Sequence, residues 1–226
     1  MDVQQILRTY GKQLRESKKL TEIARKASTY ADAQEFATVS AEALYDVLGR
    51  FVDVFAMTCD EALAIFQGAL KANYNVVSRI CERVQSQINA SAKVGLNALV
   101  PEFDAERARG LAMAITDASE VTADYVKGLI VNNSRSIVDE TIRQNAEAQK
   151  NLGFETYIKR EYDDVGLHDG KERCQWCLDR CGEWDDYQEA LRAGAFERHP
   201  GCGCIITYQV GRTRTIGTNA TNWRPF

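Results

Sequence analysis

From Leu63 onward the chain carries apolar residues at helical steps: Leu63, Phe66, Leu70, Tyr74, Val77, Cys81, Val84 and Ile88. A strand cannot imitate steps of three and four over that distance, because its side chains alternate with a period of two. The stripe predicts one helix of about 45 Å at 1.5 Å per residue. A face that long has to be covered, either inside the chain's own bundle or by another chain, so self-association is one expectation. Thr58 and Glu61 stand at capping-box spacing just ahead of the stripe, which places the helix start near Thr58.

The neighbouring segments obey the same period. Leu44, Val47, Leu48, Phe51, Val54 and Phe55 form one stripe; Val126, Ile130, Ile137, Val138 and Ile142 form another, on a helix expected from about Glu120 to Asn151. Asn97–Pro101 ends the long helix, and Asp104 is placed to cap a shorter one running to Ser119. The chain has only three prolines, Pro101, Pro200 and Pro225, so little interrupts its first 150 residues, which are rich in good helix formers. Residues 1–151 therefore predict a mainly α fold, an elongated helical bundle or set of hairpins. Cys59 and Cys81 fall within this region and are expected to be small core residues rather than ligands.

Leu152-Gly153 changes the pattern. "ETYIKREY" and "CIITYQV" are strand-prone, and "DDYQEALRAG" between them predicts a short helix with Gly194 as its C-terminal cap. Residues 152–211 are read as a small C-terminal α+β metal-binding module, and 212–226 as a polar tail. About 60 residues make a poor apolar core, and domains of that size commonly need a staple.

Five of the seven cysteines and one of the two histidines lie between Cys174 and Cys204. Cys174-x2-Cys177 has the spacing of a chelating knuckle, and His199, Cys202 and Cys204 offer a second half as H-x2-C-x-C. Two such halves can close one tetrahedral zinc site. The expected ligands are Cys174 and Cys177 with two of His199, Cys202 and Cys204; Cys181 is a reserve. The N-terminus lacks the pattern of a secretory signal, and the expectation is a reducing compartment in which clustered cysteines bind metal more often than they form disulfides. No apolar run approaches the roughly 18 residues of a membrane span.

The zinc is expected to be structural. H-x-E and H-E-x-x-H are absent, as are phosphate-binding glycine loops and G-x-S-x-G. His168 is the one candidate base near the cluster, and a polar turn histidine is its simpler reading. No enzymatic activity is expected; the competing class is a zinc-dependent effector enzyme or toxin. A nucleic-acid-binding zinc module is a further alternative, with Arg173, Arg180, Arg192 and Arg198 on phosphates, but Asp179, Asp185, Asp186 and Glu197 interrupt that patch. Residues 1–30 carry seven Lys/Arg against three acids in a chain of net charge -4. That stretch is either a solvated basic helix face or an arm making a weak contact with DNA or an acidic protein.

The arrangement C-x2-C, a Gly-Glu-Trp step, a short helix and "HPGCGC" resembles the C-terminal module of phage Mu F-like minor head proteins, also described as head morphogenesis or minor capsid proteins. The matching residues are Cys174, Cys177, His199, Pro200, Cys202 and Cys204, within roughly 153–210. Gly203 stands where that family often has arginine. The resemblance implies a low-copy virion component of the phage head, assembled in the bacterial cytoplasm beside portal and major capsid protein.

Overall fold

The computed structural model describes residues 3–53, 56–117, 122–162, 174–199 and 201–211. The apolar stripes and caps become six helices in the first two-thirds: α1 (Val3–Glu16), α2 (Lys18–Lys26), α3 (Tyr30–Phe51), α4 (Cys59–Ser91), α5 (Ala105–Asp117) and α6 (Ala123–Asn151). A three-stranded sheet and two short helices follow: β1 (Glu155–Glu161), α7 (Gln175–Leu178), β2 (Gly182–Trp184), α8 (Tyr187–Arg192) and β3 (Ile205–Gly211). The fold is thus mainly α with a small α+β part, as the periodicities predict. Val54, Phe55, His168, Arg173, Pro200 and the tail lie outside the described residues.

Local chemistry sets the helix ends. Thr58 accepts from the Glu61 amide at 3.4 Å while the Glu61 carboxylate accepts from the Thr58 amide at 3.0 Å, the expected capping box. Thr29 and Asp32 form a second box at the start of α3. Three helices end in one and the same motif. After α4, the amides of Lys93 and Val94 turn back to the carbonyls of Ala90 and Asn89; after α6, Gly153 and Phe154 bond to Lys150 and Gln149; after α8, Gly194 and Ala195 bond to Leu191 and Ala190. The motif needs a left-handed residue, and φ is 83° at Gly153 and 70° at Gly194. At the first site a lysine takes that role, with φ of 53° at Lys93.

The core has two parts, and their membership shows how the helices run. At one end the second half of α3 (Leu44, Val47, Leu48) meets the first halves of α4 (Phe66, Leu70) and α6 (Val126, Ile130), with α1 and α5 closing the sides. At the other end the first half of α3 (Tyr30, Ala33, Ala37) meets the second halves of α4 (Val77, Cys81, Val84) and α6 (Val138, Ile142). So α4 and α6 run alike and α3 runs against both. The basic N-terminal stretch belongs to this bundle: Ile6, Tyr10 and Leu20 are buried, and its lysines face outward.

The sheet completes the second part of the core. Its order is β2-β1-β3, all antiparallel, with Ile158 opposite Trp184 on one side and Tyr208 on the other. Ile158, Ile206, Tyr208 and Val210 lie in the same apolar cluster as α3, α4 and α6. The hydrophobic core therefore continues across Leu152, where the secondary structure changes. A chain of buried amides and phenols crosses it too. Tyr30 donates to Gln85, Gln85 and Gln149 both donate to Asn89, and Tyr208 donates to Gln149. In the other part of the core the main polar node is Tyr10, whose hydroxyl donates to the Ser40 carbonyl and accepts from Asn73 at 2.9 Å. Burial pushes the Tyr10 phenol up to about 12.

One expectation needs correcting, and one element has no counterpart in the sequence pattern. Cys81 is buried as foreseen, but Cys59 is exposed: it is the first residue of α4, ahead of the turn where the apolar face begins. Strand β2 leaves no trace in the sequence pattern, because three residues, Gly182–Trp184, are too few to show a period.

Candidate metal centre

Two tight turns build the cluster. Cys174 stands immediately before the single turn α7, where its carbonyl accepts from the amides of Cys177 and Leu178 at 3.1 and 3.0 Å. A three-residue step in one helical turn places Cys174 and Cys177 side by side. Opposite, the Cys202 amide closes a turn onto the His199 carbonyl at 3.0 Å, with Gly201 left-handed at φ of 80°. The two turns face each other, and all five expected ligands come together.

They form two triads that share Cys177. Within Cys174, Cys177 and His199, and within Cys177, Cys202 and Cys204, the ligand atoms all lie within 4.8 Å of one another. His199 Nε2 is 3.4 Å from Cys174 Sγ and 3.0 Å from Cys177 Sγ; Cys177 Sγ is 3.7 Å from Cys202 Sγ. Metal–sulfur bonds of about 2.3 Å make tetrahedral edges of about 3.8 Å between sulfurs and slightly less between sulfur and nitrogen. The cluster can hold a metal ion. Cys177, Cys202 and Cys204 are buried, and Cys174 and His199 are half-buried. All seven cysteines are free thiols.

Positive charge surrounds the inner thiols. Arg198 lies 3.7 Å and Arg160 lies 3.6 Å from Cys202 Sγ. A hydrogen bond from Cys204 and the charges of Arg198 and Arg160 together pull the Cys202 thiol well below its ordinary value, against the cost of burial. Cys204 moves the other way, since the two sulfurs share one proton. Burial, reinforced by the Cys202 charge, pushes the Cys177 thiol up. Cys181 is half-buried beside Cys204 and Arg160 rather than in either triad. Trp176 packs the edge of its ring against His199, and the Arg180 guanidinium lies 3.8 Å over the indole while bonding Glu197 at 2.9 Å.

The helices grip the second turn from below. On α6, Asn132 donates to the His199 carbonyl, Arg135 donates to the Cys202 carbonyl at 3.0 Å, and Asp139 holds Arg198 in a two-pronged ion pair. Arg198 also donates to Gln34 of α3 at 3.1 Å and to the Cys204 carbonyl at 2.8 Å. Both members of the Asp139–Arg198 pair are buried. Sequence reading did not find Arg160, Arg135, Asn132 or Asp139 as parts of the centre. For Arg160 a signal exists: in β1 the buried positions are Thr156, Ile158 and Arg160, so a charge occupies the inward face of a strand.

No helix among the described residues is long and apolar enough to cross a membrane. Comparison with protein-family models, with curated proteins and with solved structures gives no match to this chain.

Proposed function

We propose that this chain is a bacteriophage or prophage minor capsid protein, a head morphogenesis component without catalytic activity. Its C-terminal part is held by one structural zinc ion. The observation that carries this reading is the convergence of Cys174, Cys177, His199, Cys202 and Cys204, the positions of the minor head protein motif, in two triads that share the buried Cys177. Thiolate and imidazole at tetrahedral spacing favour zinc among common metals. More than three protein ligands suit a closed structural site rather than a catalytic zinc, which keeps a position open for water. Arg198 is buried against Asp139, and Arg180 is paired with Glu197 at the surface, which weighs against a phosphate-binding role for them.

The partners on this reading are portal and major capsid protein, and the location is the virion. Tagged protein expressed with its neighbouring portal and capsid genes is expected to enter procapsids and to carry about one zinc per chain, as four ligands imply. Protein that stays free beside fully formed procapsids would overturn the assignment. A turnover by the metal-loaded protein that His168→Ala abolishes would turn it toward an enzyme.

A further inference from the structure

The two triads hold five ligand groups, four thiols and one imidazole, and a tetrahedral metal takes four. A second metal could in principle use the surplus, bridged through Cys177. The inner triad already has a cation. Arg160 sits on the central strand and is only 1% exposed. Its guanidinium donates to the carbonyls of Gly194, Ala195 and Glu197 at 3.2, 3.0 and 2.7 Å, and to Cys202 Sγ at 3.6 Å. All three carbonyls accept from Nη1, which leaves the charge unneutralised, and Nε is buried without a hydrogen-bond partner among the described residues. Arg198, the other guanidinium at Cys202, is balanced by Asp139. Among the described residues no carboxylate forms an ion pair with Arg160, and the thiol against its guanidinium is that of Cys202. A buried guanidinium stays charged and is costly without a counter-charge.

We propose that Arg160 is a positioning residue whose guanidinium takes the place of a second cation at the Cys177, Cys202, Cys204 triad. The centre then holds one metal, on Cys174, Cys177, His199 and Cys202, and Cys204 is left beside Arg160. This rests on the reading of the cluster as a metal centre. Charge supports it. A divalent metal on three thiolates and a neutral imidazole has one net negative charge, and one guanidinium cancels it. A second dication at the inner triad would lie against that guanidinium, where two like charges repel in a low-dielectric interior. Outer groups that bond to metal ligands in this way typically change metal affinity 10- to 100-fold when removed.

The test uses the full chain loaded with cobalt(II), whose thiolate-to-metal absorption counts bound sulfurs. Wild type is expected to bind one cobalt per chain even in excess metal. Arg160→Met, close in length and uncharged, should weaken binding by about 10- to 100-fold in competition with a chromogenic chelator. Arg160→Lys should recover most of that loss, which a role in packing alone would not give. Cys204→Ser should keep the metal and the full absorption, while Cys202→Ser should lose one sulfur's share. Should Arg160→Met fail to fold, wild-type stoichiometry and Cys204→Ser still decide. Two metals per chain, or loss of the metal in Cys204→Ser, overturns the proposal, as does unchanged affinity in a folded Arg160→Met. Absence of any metal from wild type would instead sink the metal-centre reading itself.

Discussion

The two ends of the bundle are held together differently. Around Leu44, Phe66 and Ile130 the core is aliphatic and aromatic, and Tyr10 with Asn73 and Ser40 is its main polar node. Around the sheet the same three helices bury a chain of amides, the Asp139–Arg198 pair and Arg160. Apolar packing tolerates many side-chain arrangements of equal volume, whereas buried polar groups penalise every arrangement that leaves one unpaired. Both ends bury an apolar cluster. The second end also fixes which strand, turn and helix meet, and the Cys/His cluster lies there.

The sharpest way to break this comparison is a matched pair of substitutions. Asp139→Ala leaves Arg198 buried without its counter-charge and should cost about 3–5 kcal/mol. Phe66→Ala, at 0% exposure in the other part of the core, should cost a similar 3–5 kcal/mol by leaving a cavity. Urea unfolding checks both. Metal affinity separates them: it should fall in Asp139→Ala, because Arg198 bonds the Cys204 carbonyl and touches Cys202, and hold in Phe66→Ala. Equal loss of metal in both would mean the two ends act as one.

A smaller effect follows from pH. Burial holds the Tyr10 phenol neutral up to about 12, above its usual value of 10.0. The folded value is raised, so the stability it contributes is complete below pH 10 and lost as pH climbs toward 12. Two units correspond to a loss on the order of 2–3 kcal/mol at the top of that window. Tyr10→Phe should flatten this alkaline limb in urea midpoints taken between pH 9 and 12; an unchanged limb would place the loss at the sheet end, where Tyr30 and Tyr208 are also pushed up by burial.

The least effect is expected at Lys93. It holds the left-handed position that Gly153 and Gly194 fill in the other two helix ends. Lys93→Gly should raise stability by roughly 0.5–1 kcal/mol, since a side chain in that conformation is strained by about 1–2 kcal/mol and glycine returns part of it as chain entropy. A lower thermal midpoint would show that the lysine side chain makes a contact there that outweighs the strain.

Much of this was legible in the sequence where the signal is local. The stripe from Leu63 to Ile88 and the Thr58–Glu61 box become α4; Gly194 ends α8; the two halves of the ligand set meet. What the sequence hid depends on distant partners. Arg160 reads as an ordinary strand arginine until the 194–204 segment folds over it. Asp139 and Gln34 look like the solvated side of helices, because Arg198 is 59 and 164 residues away. Cys59 reads as core only if the helix face is assumed to begin with its first residue. The apparent boundary at Leu152 marks a change of local conformation, which is a sequence property; the continuity of the core beneath it is not.

Strand β3 has a consequence for how the chain is made. It pairs along its whole length with β1, from Glu155 opposite Gly211 to Glu161 opposite Ile205, and its Ile206, Tyr208 and Val210 cover Tyr30, Val77 and Ile142. Synthesis runs at about 5–20 residues per second, so α3, α4 and α6 are complete for several seconds before residues 205–211 exist. During that interval one end of the bundle stands uncovered on the ribosome. A message cut short before Ile205 yields a polypeptide that lacks the strand covering this apolar face.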